Sequence, residues 1–166
     1  MIRNARLTDT TSIAEIWNEV IRCSTATFES VEKSPDEVAE LIEAKDRANH
    51  PFLVSVGQGV DGFATYGQFR PGSGYTGTME HTIHLAPKVR RQGHGAILIR
   101  ELERCARGNG VHSMIAAISG ENVDAARFHT AMGYRTIASL PNVGRKFGRW
   151  FDLLLMQRML QAEESA

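Results

Sequence analysis

The stretch TMEHTIHLAPKVRRQGHGAIL (residues 78–98) decides how the rest of the chain is read. Its first eight residues are rich in β-branched and apolar side chains and stop just before Pro87, as a strand does. A period of two then puts Glu80, Thr82 and His84 on one face and His81, Ile83 and Leu85 on the other. After the proline come Arg90, Arg91 and Gln92, then Gly93, His94, Gly95 and Ala96 at the head of a run of strong helix formers. The first turn of a helix carries unpaired N–H groups and the positive end of the helix dipole, and arginines beside it add charge. Such a junction is a place for a phosphate-like anion. It is neither a G-x-x-x-x-G-K-[ST] loop nor the dinucleotide fingerprint, whose third glycine position is Leu98 here.

Outward from this junction, residues 2–7 alternate as a short strand, and a helix follows from Asp9 with Ile13, Ile16, Trp17, Val20 and Ile21 on one face. Ser34, Pro35 and Glu37 form a capping-box signature for a second helix running to about Arg47. FLVSVG and GFATYGQF read as a hairpin, followed by a glycine-rich loop, RPGSGYTG. The helix after the arginines repeats Leu98, Leu102 and Cys105 and stops at Gly108 and Gly110. VHSMIAAI is apolar enough to be covered on both faces. Asn122 then precedes a helix closed by Gly133, a strand YRTIASL, a polar loop PNVGRKFG and a last strand WFDLLLMQRM. Strands alternating with helices imply an α/β (α+β) fold in which helices flank a mixed central β-sheet, as one domain over residues 1–166.

Lys plus Arg and Asp plus Glu both count 19, which argues against holding nucleic acid by phosphate neutralisation. No stretch approaches the ~20 apolar residues of a membrane span, and the start has no apolar signal core, so a cytoplasmic location is expected. Cys23 and Cys105 lie in helical stretches outside any C-x-x-C pair, and Cys105 shares an apolar helix face. No metal site is expected, because His81 and His84 point to opposite faces of a strand.

R-x-x-G-x-G, formed by Arg90, Gly93 and Gly95 between a strand and a helix, resembles the pyrophosphate-binding signature of the GNAT N-acetyltransferases. TATFES, ATYGQFRP, TMEHTIHL, IAAISGEN, RFHTAMGY and VGRKFGRWFDLLLMQ are similar, in order, to segments of its phosphinothricin and methionine sulfone or sulfoximine acetyltransferases. The chain departs from that subfamily at His84, where tyrosine is common, and at Gly72, where an aromatic or polar residue is common.

The resemblance implies acetyl transfer from acetyl-CoA to the α-amine of a small amino-acid analogue, directly and without a metal. Glu80 would be the general base, and His129, at the position where many GNAT proteins carry a tyrosine thought to protonate the thiolate, would assist either proton transfer. Phe28, Arg70, Pro71, Gly72, Tyr75, Glu80, His81 and Thr82 would line the acceptor site. Backbone groups of Ile83, His84 and Leu85 would face the thioester arm; Arg90, Arg91, Gln92, Gly93, His94, Gly95 and Ala96 would hold the diphosphate, and Asn122 would complete the cofactor site. A homodimer is implied, with no nucleic-acid or membrane partner. The residues leave open another amine acceptor, such as a polyamine, an aminoglycoside or a protein N-terminus, and an acyl-CoA sensor without turnover.

Overall fold

The computed structural model describes residues 1–161. Seven strands form one sheet: β1 (Ile2–Asn4), β2 (Phe52–Val56), β3 (Val60–Gln68), β4 (Thr78–Leu85), β5 (Ser113–Ser119), β6 (Arg135–Lys146) and β7 (Arg149–Met159). Four helices cover it: α1 (Thr10–Cys23), α2 (Pro35–Arg47), α3 (His94–Gly108) and α4 (Val123–Ala131). The strand order is β1-β2-β3-β4-β5-β7-β6, and only the β4/β5 pair is parallel.

The two helix pairs take opposite faces because each presents one apolar stripe. On one face Ile13 and Ile16 of α1 and Val38 of α2 pack on Phe52, Val54 and Phe63. On the other, Leu98, Ile99, Leu102 and Ala106 of α3 pack on Leu53, Ala64, Tyr66, Met79 and Met114. The capping box of α2 is present, with Glu37 N donating to Ser34 Oγ and Ser34 N donating to the Glu37 carboxylate. The first strand is shorter than its alternation implies. Asp9 takes a bidentate bond from Arg3 and a third from Arg6 N, which curls the chain into a short 3-10 turn at Leu7–Asp9.

The end of the chain differs more. PNVGRK is not a loop but the second half of β6, and only Phe147 and Gly148 turn the hairpin, both with positive φ. Pro141 cannot donate to a ladder, and the strand absorbs it in a bulge where residues 141–143 stand opposite Asp152. Asn142 adopts φ 53° there, and its N–H goes to Asp152 Oδ1 at 2.9 Å. A side-chain acceptor replaces the missing strand partner.

One further ion cluster ties α3 to the sheet. Glu103, 1% exposed, accepts from Arg158 at 2.7 Å, with Arg107 at 3.6 Å, while Arg158 also donates to Met132 O at 2.6 Å.

The feature that positions the site is a parting of strands. β4 and β5 pair only from Thr78–Glu80 to Ser113–Ile115. Beyond that, β4 stays with β3 as far as Leu85, and β5 stays with β7 as far as Ser119, so the two diverge. The result is a wedge closed at Glu80 and open toward the strands' C-terminal ends, where α3 and α4 begin.

Candidate active site

At the wide end of the wedge the arginine-glycine junction has the form its sequence implies. Gly93 is the N-cap of α3 at φ 85°, and Arg91 takes φ 61°, so the chain doubles back before the helix starts. Arg90 Nε holds Leu85 O at 3.1 Å, Gln92 holds Lys88 O at 2.7 Å, and the first-turn amides of His94, Gly95 and Ala96 lead the helix. Arg91 crosses the mouth to Asp124 Oδ2 at 2.7 Å, linking the junction to the first turn of α4. Gly95 is small for a reason the motif does not show: a Cβ there would lie 3.3 Å from Leu85 Cδ1 and 3.4 Å from Phe128 Cζ. Asn122 caps α4, its Oδ1 accepting from Ala125 N at 3.1 Å.

The alternation along β4 is as the sequence predicts, but its two faces belong to different halves of the site. Glu80, Thr82 and His84 face α1 and α2, where His84 lies beside Phe63 and Trp17. Its side chain is therefore packed away from the cofactor side, and only its backbone borders the wedge. His81 faces α3 and α4, so its side chain lies on the opposite face from Glu80. It is buried and stacked on His129 with ring centroids 5.0 Å apart, and Tyr134 stands edge-on to both. Glu80 and His129 thus address the wedge from opposite sides of the sheet.

The protons of the histidine pair follow from its partners. His129 Nδ1 lies 2.7 Å from Ala125 O, which can only accept, so Nδ1 carries the proton in the neutral ring. His129 Nε2 is then an acceptor, and His81 Nε2, 3.2 Å away, donates to it. His81 Nδ1 remains a buried acceptor without a partner among the described residues. In this arrangement the His129 Nδ1 proton is held by Ala125 O and Nε2 accepts from His81.

Burial, with His129 and His84 adding to it, lowers His81 to about 3, and burial lowers His129 as well. Both rings stay neutral in the fold but take a proton near pH 6.5 when unfolded. Stability should therefore fall as pH drops below about 6.5 and continue falling toward the folded value. At pH 5 His81 alone should cost roughly 2 kcal/mol relative to pH 7. Urea unfolding at the two pH values measures this, and equal stabilities would refute the neutral assignment.

Glu80 is half-buried, with no hydrogen bond or ion pair to its carboxylate among the described residues, and desolvation raises its pKa from 4.5. Its ladder partners are Gly67 and Ile115. Sequence reasoning missed Lys45, whose Nζ donates to Tyr66 O at 2.7 Å and lies where a Cβ on Gly67 would come within 2.8 Å of it. A glycine opposite Glu80 was its only trace. Register carries the same face from Glu80 through Ile115 and Ala117 to Leu155, Leu153 and Phe151. Phe28, in the α1–α2 connection, stacks on Phe151 at 5.6 Å. It therefore stands on the face of Glu80.

Arg70, Pro71, Gly72 and Tyr75 lie together on the exposed β3–β4 loop. Gln68 shapes that loop by donating to Arg70 O at 2.7 Å and Gly72 O at 2.8 Å. Gly72 has φ 116°, a conformation that favours glycine. Among the described residues no group of three His, Cys, Asp or Glu could hold a metal, and no helix is long and apolar enough to cross a membrane.

Comparison with known proteins agrees with this geometry. Residues 2–155 match the model of the acetyltransferase (GNAT) domain. The chain is 34% identical over 168 residues to an L-methionine sulfoximine/L-methionine sulfone acetyltransferase of Pseudomonas paraeruginosa, covering 99% of this chain and 97% of that one. It is 32% identical to a phosphinothricin N-acetyltransferase of Alcaligenes faecalis, covering 99% and 84%. A solved structure of a putative acetyltransferase from Salmonella typhimurium with acetyl-CoA superposes with a TM-score of 0.95 at 34% identity, over 100% of this chain and 96% of that one. With the wedge, the glycine junction and full-length similarity in agreement, the chain belongs to the GNAT family and is an acetyl-CoA-dependent N-acetyltransferase.

Proposed function

We propose that the chain acetylates the α-amine of a small amino-acid analogue of the methionine sulfoximine, methionine sulfone or phosphinothricin type. The observation that carries this reading is Glu80, an unpaired, half-buried carboxylate at the closed end of the wedge, facing the aromatic and basic acceptor side. Relatives named for those acceptors support it. Acetyl-CoA supplies the acetyl group as a thioester. Along His81–Leu85 alternate backbone N–H and C=O groups point into the wedge without a strand partner, so they suit an amide-bearing arm. The α3 amides and Arg91 would hold the diphosphate.

Glu80 takes the proton that the amine loses as its nitrogen bonds to the acetyl carbon, directly or through one water. The thiolate departs on the side of His129, whose Nδ1 proton stays with Ala125 O. Protonation from His129 would require that bond to open. Arg70 supports an anionic acceptor over a polycationic one, since its planar fork matches a carboxylate or an oxygen-rich side chain. A homodimer is supported by family resemblance and by Ile137, Leu140 and Val143 on the edge strand β6, Phe147 in the turn and Trp150 at the start of β7, all exposed.

Acetyl-CoA turnover, read as free thiol, against a panel of these three acceptors, common amino acids, a polyamine and a basic peptide tests the assignment. Selective turnover of the three is expected, and turnover only of the polyamine or peptide would overturn it. For the diphosphate site, Arg91→Ala is the clean variant, because Arg91 is exposed and a side chain at Gly95 would disturb packing. It should weaken acetyl-CoA binding by about tenfold at low salt, and less at high salt. Calorimetry showing unchanged affinity would remove Arg91 from the site.

A further inference from the structure

The segment VGRKFGRW, residues 143–150, is left unused by the transfer chemistry. The fold gives it a task. Lys146, only 4% exposed near the tip of β6, sends its ammonium group to two backbone carbonyls of the α1–α2 connection, Ser24 O at 2.7 Å and Thr27 O at 2.9 Å. Two positions earlier, a Cβ on Gly144 would overlap the Phe28 ring, so the glycine is the seat into which that ring fits. Phe151, the ladder partner of Gly144, stacks on the same ring, and the Arg149 guanidinium lies 4.0 Å over Phe151 from its centroid. Arg149 also reaches Glu121 Oε2 at 2.9 Å, beside Asn122.

A buried lysine whose hydrogen bonds go only to carbonyls, with the Phe147 ring centroid 5.0 Å from its ammonium, is costly unless it fixes something. Here it fixes a loop with little regular structure of its own: residues 24–34 join α1 to α2 without helix or strand. Phe28 sits between the two carbonyl anchors and the hairpin, on the sheet face that carries Glu80. Any movement of this loop moves an aromatic wall of the acceptor side without touching α3 or the glycine junction.

We propose that Lys146 is a positioning residue for acceptor selectivity, clamping the α1–α2 loop so that Phe28 is held on Gly144 and Phe151 as a fixed wall of the acceptor pocket. The proposal rests on the acceptor-side reading above and adds a selectivity device supplied by the opposite end of the chain.

The test uses the full chain. Lys146→Met keeps most of the side chain's bulk but loses the donors, and Lys146→Arg keeps N–H groups that can reach the two carbonyls. Lys146→Met should raise KM for methionine sulfoximine by about tenfold or more, since small displacements of a positioning wall carry large effects. KM for acetyl-CoA should move by less than about twofold, and the ratio of kcat/KM between methionine sulfone and phosphinothricin should shift. Lys146→Arg should recover most of the loss. A lowered Tm with unchanged acceptor KM would make Lys146 merely structural and overturn the proposal.

Gly144→Ala displaces Phe28 with the lysine intact and should reproduce the acceptor KM increase; it decides the matter if Lys146→Met does not fold. Amide exchange of residues 24–30 without ligand gives an independent reading. Faster exchange in Lys146→Met supports the clamp even if no acceptor on the panel turned over, a result that would count against the acceptor assignment instead. Unchanged exchange alongside normal turnover would overturn the clamp and leave the acceptor assignment standing.

Discussion

Glu80→Gln is expected to lower kcat by about 10²- to 10³-fold while acetyl-CoA affinity stays unchanged. Glutamine fills the same space but cannot take a proton from the amine. The expected loss is large because no second carboxylate stands on that face of the strand: the neighbours of Glu80 in the ladder are Gly67 and Ile115, Thr82 is the next side chain along, and His84 beyond it is packed beside Phe63 and Trp17. The histidine pair is on the far side of the sheet, neutral, with its protons committed. Cofactor affinity should survive because the diphosphate junction lies at the opposite end of the wedge.

The pH profile carries the same information. Desolvation raises Glu80 above 4.5, and the base must be ionised, so kcat/KM should rise with pH through the Glu80 pKa, and this limb should vanish in Glu80→Gln. Wild-type kcat in the variant would end the base assignment. Loss of acetyl-CoA binding together with rate would mean instead that Glu80 shapes the wedge.

Arg158→Ala should destabilise the fold by about 3–5 kcal/mol, because it leaves the Glu103 carboxylate buried beside the weaker contact to Arg107. It also strips Met132 O of its donor just past the end of α4, three residues beyond His129. Removing one partner of a buried pair costs more than the pair contributes, since the remaining charge keeps its desolvation penalty. The double replacement Glu103→Leu with Arg158→Met should therefore be less harmful than Arg158→Ala alone. Urea unfolding of the three proteins measures the order. A loss below about 1 kcal/mol for Arg158→Ala would show that Arg107 or water satisfies Glu103 after all.

Local signals made the element order legible. The Ser34–Glu37 box, the Gly93 turn and the 3.6-residue stripes of α1 and α3 act within one or two helical turns, so their meaning does not depend on distant neighbours. The same holds for the alternation of β4, which correctly divided Glu80 from His81. Pro141 misled, because a proline near the centre of a sequence stretch reads as a loop until a partner strand is seen to accommodate a bulge opposite Asp152. The alternation of β4 turns the His81 side chain away from the face of Glu80, toward His129.

The sequence by itself determined that this chain would fold as a mixed sheet with a phosphate-ready helix start, because capping, periodicity and glycine placement are short-range properties. Tertiary structure alone decided where the chemistry could gather. The wedge exists because β5 pairs with β7 beyond the point where it leaves β4, a competition between strands far apart in the chain. His81 meets His129 across 48 residues, and Lys146 meets Ser24 across 122. Contacts at such separations are chosen by which surfaces remain to be buried once the local elements have formed, and no local pattern encodes that choice.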